Sequence, residues 1–150
     1  MRAGQWIVIG MLSVAVVTGV SVYYLQNFFF YDRVTDVSSI QIGDRDFAVS
    51  EYDGLDNRAR PLRLRGCFKL ADPEGALAAG SLAPDAAPFD APEWFECWDA
   101  AAIDADLKSG AAQAVLADST TANGFTTERL VAIYPDGRAY QWRRIFEDDG

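Results

Sequence analysis

The sequence predicts an α+β protein: one N-terminal transmembrane helix, then a small antiparallel sheet of about five or six strands with one or two short helices. Three observations carry this reading. No charged side chain occurs between Arg2 and Asp32. Beyond that stretch, short apolar runs alternate with polar residues at period two and are separated by turn-forming residues. Helix start and stop signals gather in one short region, from Asp90 to Gly110.

The apolar run centres on Trp6 to Leu25, WIVIGMLSVAVVTGVSVYYL. At about 1.5 Å per residue, this is long enough to cross a hydrocarbon layer of ~30 Å. A helix does so alone because it satisfies its own backbone hydrogen bonds. The alternative is a cleaved secretory signal, whose apolar region is shorter, roughly 7–15 residues. The one passable small-residue cleavage pair is Gly19 and Ser21, and cutting there leaves the very apolar start VYYLQNFFFY. Length and flanks favour an anchor. Trp6 at one end and Tyr23, Tyr24, Phe28, Phe29, Phe30 and Tyr31 at the other read as interfacial belts. Ala15 and Gly19 form a small-xxx-small pair, which allows close approach of another helix.

Two units are expected: residues 1–31, a short tail and the helix, and residues 32–150, one exported domain of a size for a single core. Basic residues on the two sides of the span are nearly balanced, so orientation rests on the short N-terminal tail and the cysteines. Both place the N-terminus inside and the domain outside, hence a single-pass bacterial inner-membrane protein with a periplasmic domain. A net charge of −9 argues against nucleic acid, which needs a basic footprint. Lysine occurs only at Lys69 and Lys108 against abundant arginine and alanine, a bias of GC-rich bacterial genomes.

Along the domain, Val37–Ile42 and Phe47–Tyr52 read as strands around the Gly43-Asp44 turn. Leu62, Leu64, Gly66, Phe68 and Leu70 alternate with Arg63, Arg65, Cys67 and Lys69, a half-buried strand. That register puts Cys67 on the polar face unless a bulge at Gly66 re-aims it. Ala71–Pro92, with four prolines, reads as irregular. Asp90, Pro92 and Glu93 look like a helix start, and Asp99 to Gly110 a capped turn of helix with Ile103 and Leu107 on one face. Ala112–Leu116 reads as a strand. Leu130–Tyr134 and Ala139–Ile145 flank Pro135-Asp136-Gly137-Arg138, a hairpin signal.

The segments PEWFECWDAAAI and LVAIYPDGRAYQW, with RLRGCF and the N-terminal helix, resemble a small family of membrane-anchored alphaproteobacterial proteins. Members are sometimes labelled histidine kinases. The resemblance spans nearly the whole chain and implies no activity. The kinase label conflicts with the residues, since the chain has no histidine and no Gly-rich nucleotide loop.

The missing histidine also removes the usual general base and metal ligand. Asp104 and Asp106 fall on different faces of a helix, and the Asp53, Asp56, Asn57 cluster lacks calcium-loop spacing. No enzyme activity, cofactor or metal is therefore expected. Cys67 and Cys97 most simply form a disulfide in an oxidising compartment. A redox or metal pair is the alternative, without CxxC spacing to support it. Charge is segregated: Arg58, Arg60, Arg63, Arg65 and Lys69 form a basic cluster, and nine acids lie between Lys69 and Lys108. Either the two pair internally, or one is a docking surface, the basic cluster for anionic headgroups or the acidic stretch for a positively charged partner. The expected role is an accessory or assembly subunit of a larger membrane complex, respiratory or photosynthetic. Its partners are the bilayer and an integral-membrane protein assembly. The alternatives are a ligand-binding sensor using Trp94, Phe95, Trp98 and Trp142, or a thiol-redox or metallochaperone factor.

Overall fold

A computed structural model of the chain describes residues 2–26, 32–57 and 60–147. Phe28, Phe29, Phe30, Tyr31 and Arg58 fall outside the described residues. Contacts divide the chain into two compact units, Met1–Asp32 and Arg33–Gly150. The first is built on α1 (Arg2–Tyr24), long and apolar enough to cross a membrane. None of its residues is buried, which suits a helix solvated by lipid and does not suit a core helix. Ser13 returns its hydroxyl to Ile9 O at 2.8 Å, so it adds no open polar group.

The second unit is α+β, as expected, with eight strands among the described residues. They are β1 (Asp32–Val34), β2 (Ser39–Ile42), β3 (Arg45–Asp56), β4 (Arg65–Leu70), β5 (Ser81–Leu82), β6 (Gln113–Ala122), β7 (Phe125–Ile133) and β8 (Arg138–Glu147). Two helices join them, α2 (Pro73–Ala79) and α3 (Ala100–Ser109). The surplus over six comes from β1 and β5, three and two residues long, too short to show a period. The order is β1-β3-β4-β8-β7-β6-β5, with β2 also on β3.

Both faces of the central strands are covered, which is why the simple alternation misleads. On one face Phe47, Val49, Phe68, Leu70, Val115, Val131 and Ile133 form a core with Ile40 and Ile42 of β2 and Ala76 of α2. There β2 folds across towards β6, and Gly43 N–H donates to Ala117 O at 2.8 Å. On the other face Leu130, Tyr140 and Trp142 meet Phe95, Trp98 and Ile103 of the 83–110 segment. Trp98 stands edge-on to Tyr140 and Trp142 at 5.8 and 6.1 Å. Cys67 is therefore buried, not on a polar face, because that second layer lies over it. No bulge occurs at Gly66; the irregularity is in β3, between Ser50 and Asp53.

Four local expectations change. β4 begins at Arg65, because Pro61–Arg63 forms a 3-10 turn closed by Arg63 N–H on Arg60 O at 3.0 Å. The stretch expected to be irregular contains α2, started by the Asp72 cap on Gly75 N–H and by Pro73 in the first turn. No helix starts at Asp90; successive turns close at Phe95 and Trp98 instead, burying both rings. Asp99 does cap α3 through Ala102 N–H, and Gly110 ends it in the left-handed region. Finally β6 runs on to Ala122 and turns through Asn123 and Gly124, both with positive φ, a hairpin additional to the one at Pro135–Arg138.

Candidate functional site

Among the described residues, which leave out Arg58, the expected basic cluster is not one exposed patch. Arg60 and Lys69 are exposed, and Lys69 pairs with Glu51 at 3.1 Å. Arg63 is half-buried. Arg65 is only 6% exposed, so it is a correction to the docking reading: it lies inside the domain, beneath the 83–110 segment. Its guanidinium donates to Leu62 O and Leu64 O at 2.7 Å each and twice to Asp90 O at 3.1 and 3.0 Å. The Phe89 and Trp98 rings stand over it at 5.7 and 5.8 Å. The acidic excursion does fold back over the basic strand, and Arg65 grips it by the backbone carbonyl of Asp90. The Cys67 and Cys97 sulfurs are at disulfide distance, 2.18 Å apart, and clip the same excursion to β4. Phe95, Trp98 and Trp142 are core residues of this layer. Ala15 and Gly19 lie one turn apart on α1, and a side chain at Gly19 would meet open space.

Two arrangements were not expected from the sequence. The first is a chain of polar groups across four strands on the β2-covered face, with Arg129, Gln141 and Tyr52 buried and Asp118 at its exposed end. Asp118 accepts from Arg129 Nε at 2.8 Å, Gln141 Oε1 accepts from Arg129 at 3.0 Å, and Gln141 Nε2 donates to the Tyr52 hydroxyl at 2.5 Å. Arg129 also donates to Gln41 O. Burial holds the Tyr52 phenol above its ordinary pKa, against the pull of Gln141, so it stays protonated. Glycines make the room: Gly54 and Gly66 face each other across β3 and β4, and Tyr52 lies over both. A Cβ on Gly54 would come within 2.6 Å of the tyrosine ring. The Glu51 bulge residue, with φ of 53°, re-aims Tyr52 into this place.

The chain floors a cavity of about 250 Å³ walled by Val34, Val37, Ile40, Leu55 and Leu64. Asp56 and Arg143 complete it and lie 3.6 Å apart. The signals were legible in principle: glycines inside strands mark close approach, and Gln141 interrupts an apolar strand.

The second arrangement is the free end of the β7–β8 ladder. β4 accompanies β8 only as far as the Arg65–Trp142 pair, whereas β7 continues to the Phe125–Glu147 pair. Beyond Trp142, among the described residues, no strand pairs with the other edge of β8. Phe125, Ile145 and Phe146 are exposed there by 48, 41 and 40%. An open edge with apolar flanks is a template for another chain.

An N-terminal helix long and apolar enough to span a bilayer, and a disulfide-clipped antiparallel-sheet domain, define the class: an α+β protein with one candidate transmembrane helix. The chain belongs to the family of unknown function DUF6446, which its residues 34–148 match. That match covers the sheet domain and leaves out α1. Comparisons with curated proteins and with solved structures give no match.

Proposed function

We propose that this protein is a non-enzymatic accessory or assembly subunit, held in the bacterial inner membrane by α1 and acting by contact through a periplasmic domain. The observation that carries the reading is the open β8 edge, flanked by exposed Phe125, Ile145 and Phe146. Edges of this kind are normally blunted by charge, proline or cover; this one carries Arg143, Arg144 and Glu147 and has the Pro61–Arg63 turn against β8, yet Phe125, Ile145 and Phe146 stay accessible. A strand of a membrane-embedded partner, such as a respiratory or photosynthetic assembly, fits this edge by main-chain pairing. The cysteine geometry supports an oxidising compartment and so a domain outside the cytoplasm.

The test is purification through a C-terminal tag from membranes solubilised in mild detergent, followed by native electrophoresis and mass spectrometry. A stoichiometric membrane assembly that is lost with Ile145→Asp and Phe146→Asp supports the reading. Recovery of the wild-type protein only as a monomer in several detergents overturns it.

A further inference from the structure

We propose that the cavity over Tyr52 and Gln141 binds a small neutral molecule with an apolar body and one carbonyl oxygen. Three observations lead there, all independent of the β8 edge. The walls are apolar: Val34, Val37, Ile40, Leu55 and Leu64 offer no hydrogen bond from their side chains. The floor offers donors. Gln141 uses its carbonyl on Arg129 and its amide on Tyr52, so the Tyr52 hydroxyl accepts that bond and keeps its own hydrogen for a further acceptor. The charges are already balanced, with Arg129 on Asp118 at 2.8 Å and Arg143 beside Asp56 at 3.6 Å. An added carboxylate or ammonium would find the opposite charges there already paired. A neutral carbonyl needs no counter-charge and takes the phenolic hydrogen bond. The volume of about 250 Å³ is below that of drug-sized sites, which limits the ligand to a single ring or a short chain.

The site exists for a reason internal to the sequence. Gly54 and Gly66 set the tyrosine ring low against the sheet, and the Glu51 bulge turns it onto them. A tyrosine serving only as core filling needs neither a donor chain behind it nor an open cavity before it.

The experiment uses the full chain in detergent, with nitrogen-labelled glutamine amides and carbon-labelled tyrosine rings followed by NMR. Four probes of similar shape are titrated: acetophenone, ethylbenzene, benzoate and benzylamine. The expected result is a saturable shift of Gln141 and Tyr52 with acetophenone, and binding weaker by about tenfold for ethylbenzene, the equivalent of one hydrogen bond. Tyr52→Phe lowers acetophenone affinity to the ethylbenzene level. Val37→Trp, at the half-buried rim and away from the polar floor, blocks all four without disturbing the fold. Equal binding of ethylbenzene, tighter binding of benzoate or benzylamine, or no saturable shift with any probe overturns the proposal.

Discussion

Gly66 and Gln141 face each other across β4 and β8, and the glycine leaves no room for a methyl group. A Cβ at position 66 would stand 2.8 Å from Gln141 Cγ and 2.9 Å from the Tyr52 hydroxyl. Gln141 is held by Arg129 and is bonded in turn to the Tyr52 hydroxyl, so the two cannot both step aside. Gly66→Ala is therefore expected to destabilise the domain by about 1–3 kcal/mol, as overpacking does. Urea denaturation checks this; an unchanged midpoint would show that the polar chain has slack.

The excursion that covers the Trp142 face is clipped at Cys67 and Cys97, which are 30 residues apart in sequence. In the chain-entropy picture, closing such a loop stabilises the fold by about 3–4 kcal/mol. Cys67→Ser with Cys97→Ser should lower the unfolding free energy by that order, read by denaturation with and without reductant. The wild type should respond to strong reductant and the double variant should not.

Tyr134 donates to Asp106 at 2.6 Å, tying β7 to α3. Burial, then the hydrogen bond and the Asp106 charge, raise the phenol pKa above its ordinary value near 10. A group whose pKa is raised on folding contributes stability that is complete below the unfolded value and lost as pH rises through the folded one. Stability should therefore fall as pH climbs above about 10, and phenolate absorbance of Tyr134 should appear late. Asp106→Ala should bring that ionisation to lower pH, because the hydrogen bond and the charge both disappear; a difference titration against Tyr134→Phe isolates the signal.

Much of this fold was legible because local chemistry matched the final structure. Asp99 and Gly110 bounded α3, and Pro135–Arg138 marked the β7–β8 hairpin. What escaped did so for physical reasons. Period-two reading assumes one dry face, and β4 has two, so Cys67 and Arg65 were placed at the surface. The Asn123-Gly124 turn has a clear hairpin signature, and β6 and β7 run up to it, well beyond the apolar runs that mark them in the sequence. Of the functional surfaces, the cysteine pair was foreseeable from composition. The Tyr52, Gln141, Arg129 and Asp118 chain draws on four strands far apart in sequence, so only the fold brings it together.

Arg65 tests the difference between a surface charge and a buried clamp. Four donor bonds to the carbonyls of Leu62, Leu64 and Asp90 run through one guanidinium. Arg65→Ala leaves those carbonyls to be satisfied otherwise, and should cost roughly 3–5 kcal/mol, the scale for breaking a buried charged network. Arg65→Lys should rescue little, since an ammonium lacks the planar fork. Thermal unfolding of the two variants checks this; surface-like losses under about 1 kcal/mol would return Arg65 to the docking reading.

The helix itself separates an anchor from a signal. Val14 lies near the middle of α1, where an aspartate costs about 2.5–3.5 kcal/mol of insertion free energy. Val14→Asp should therefore shift much of the protein out of the carbonate-resistant membrane fraction. A cleaved signal gives a different outcome in the wild type, a mature chain shortened near Gly19 and Ser21. Intact mass decides between them: a membrane-bound species that retains α1 identifies the anchor, because cleavage there would remove the segment that resists extraction.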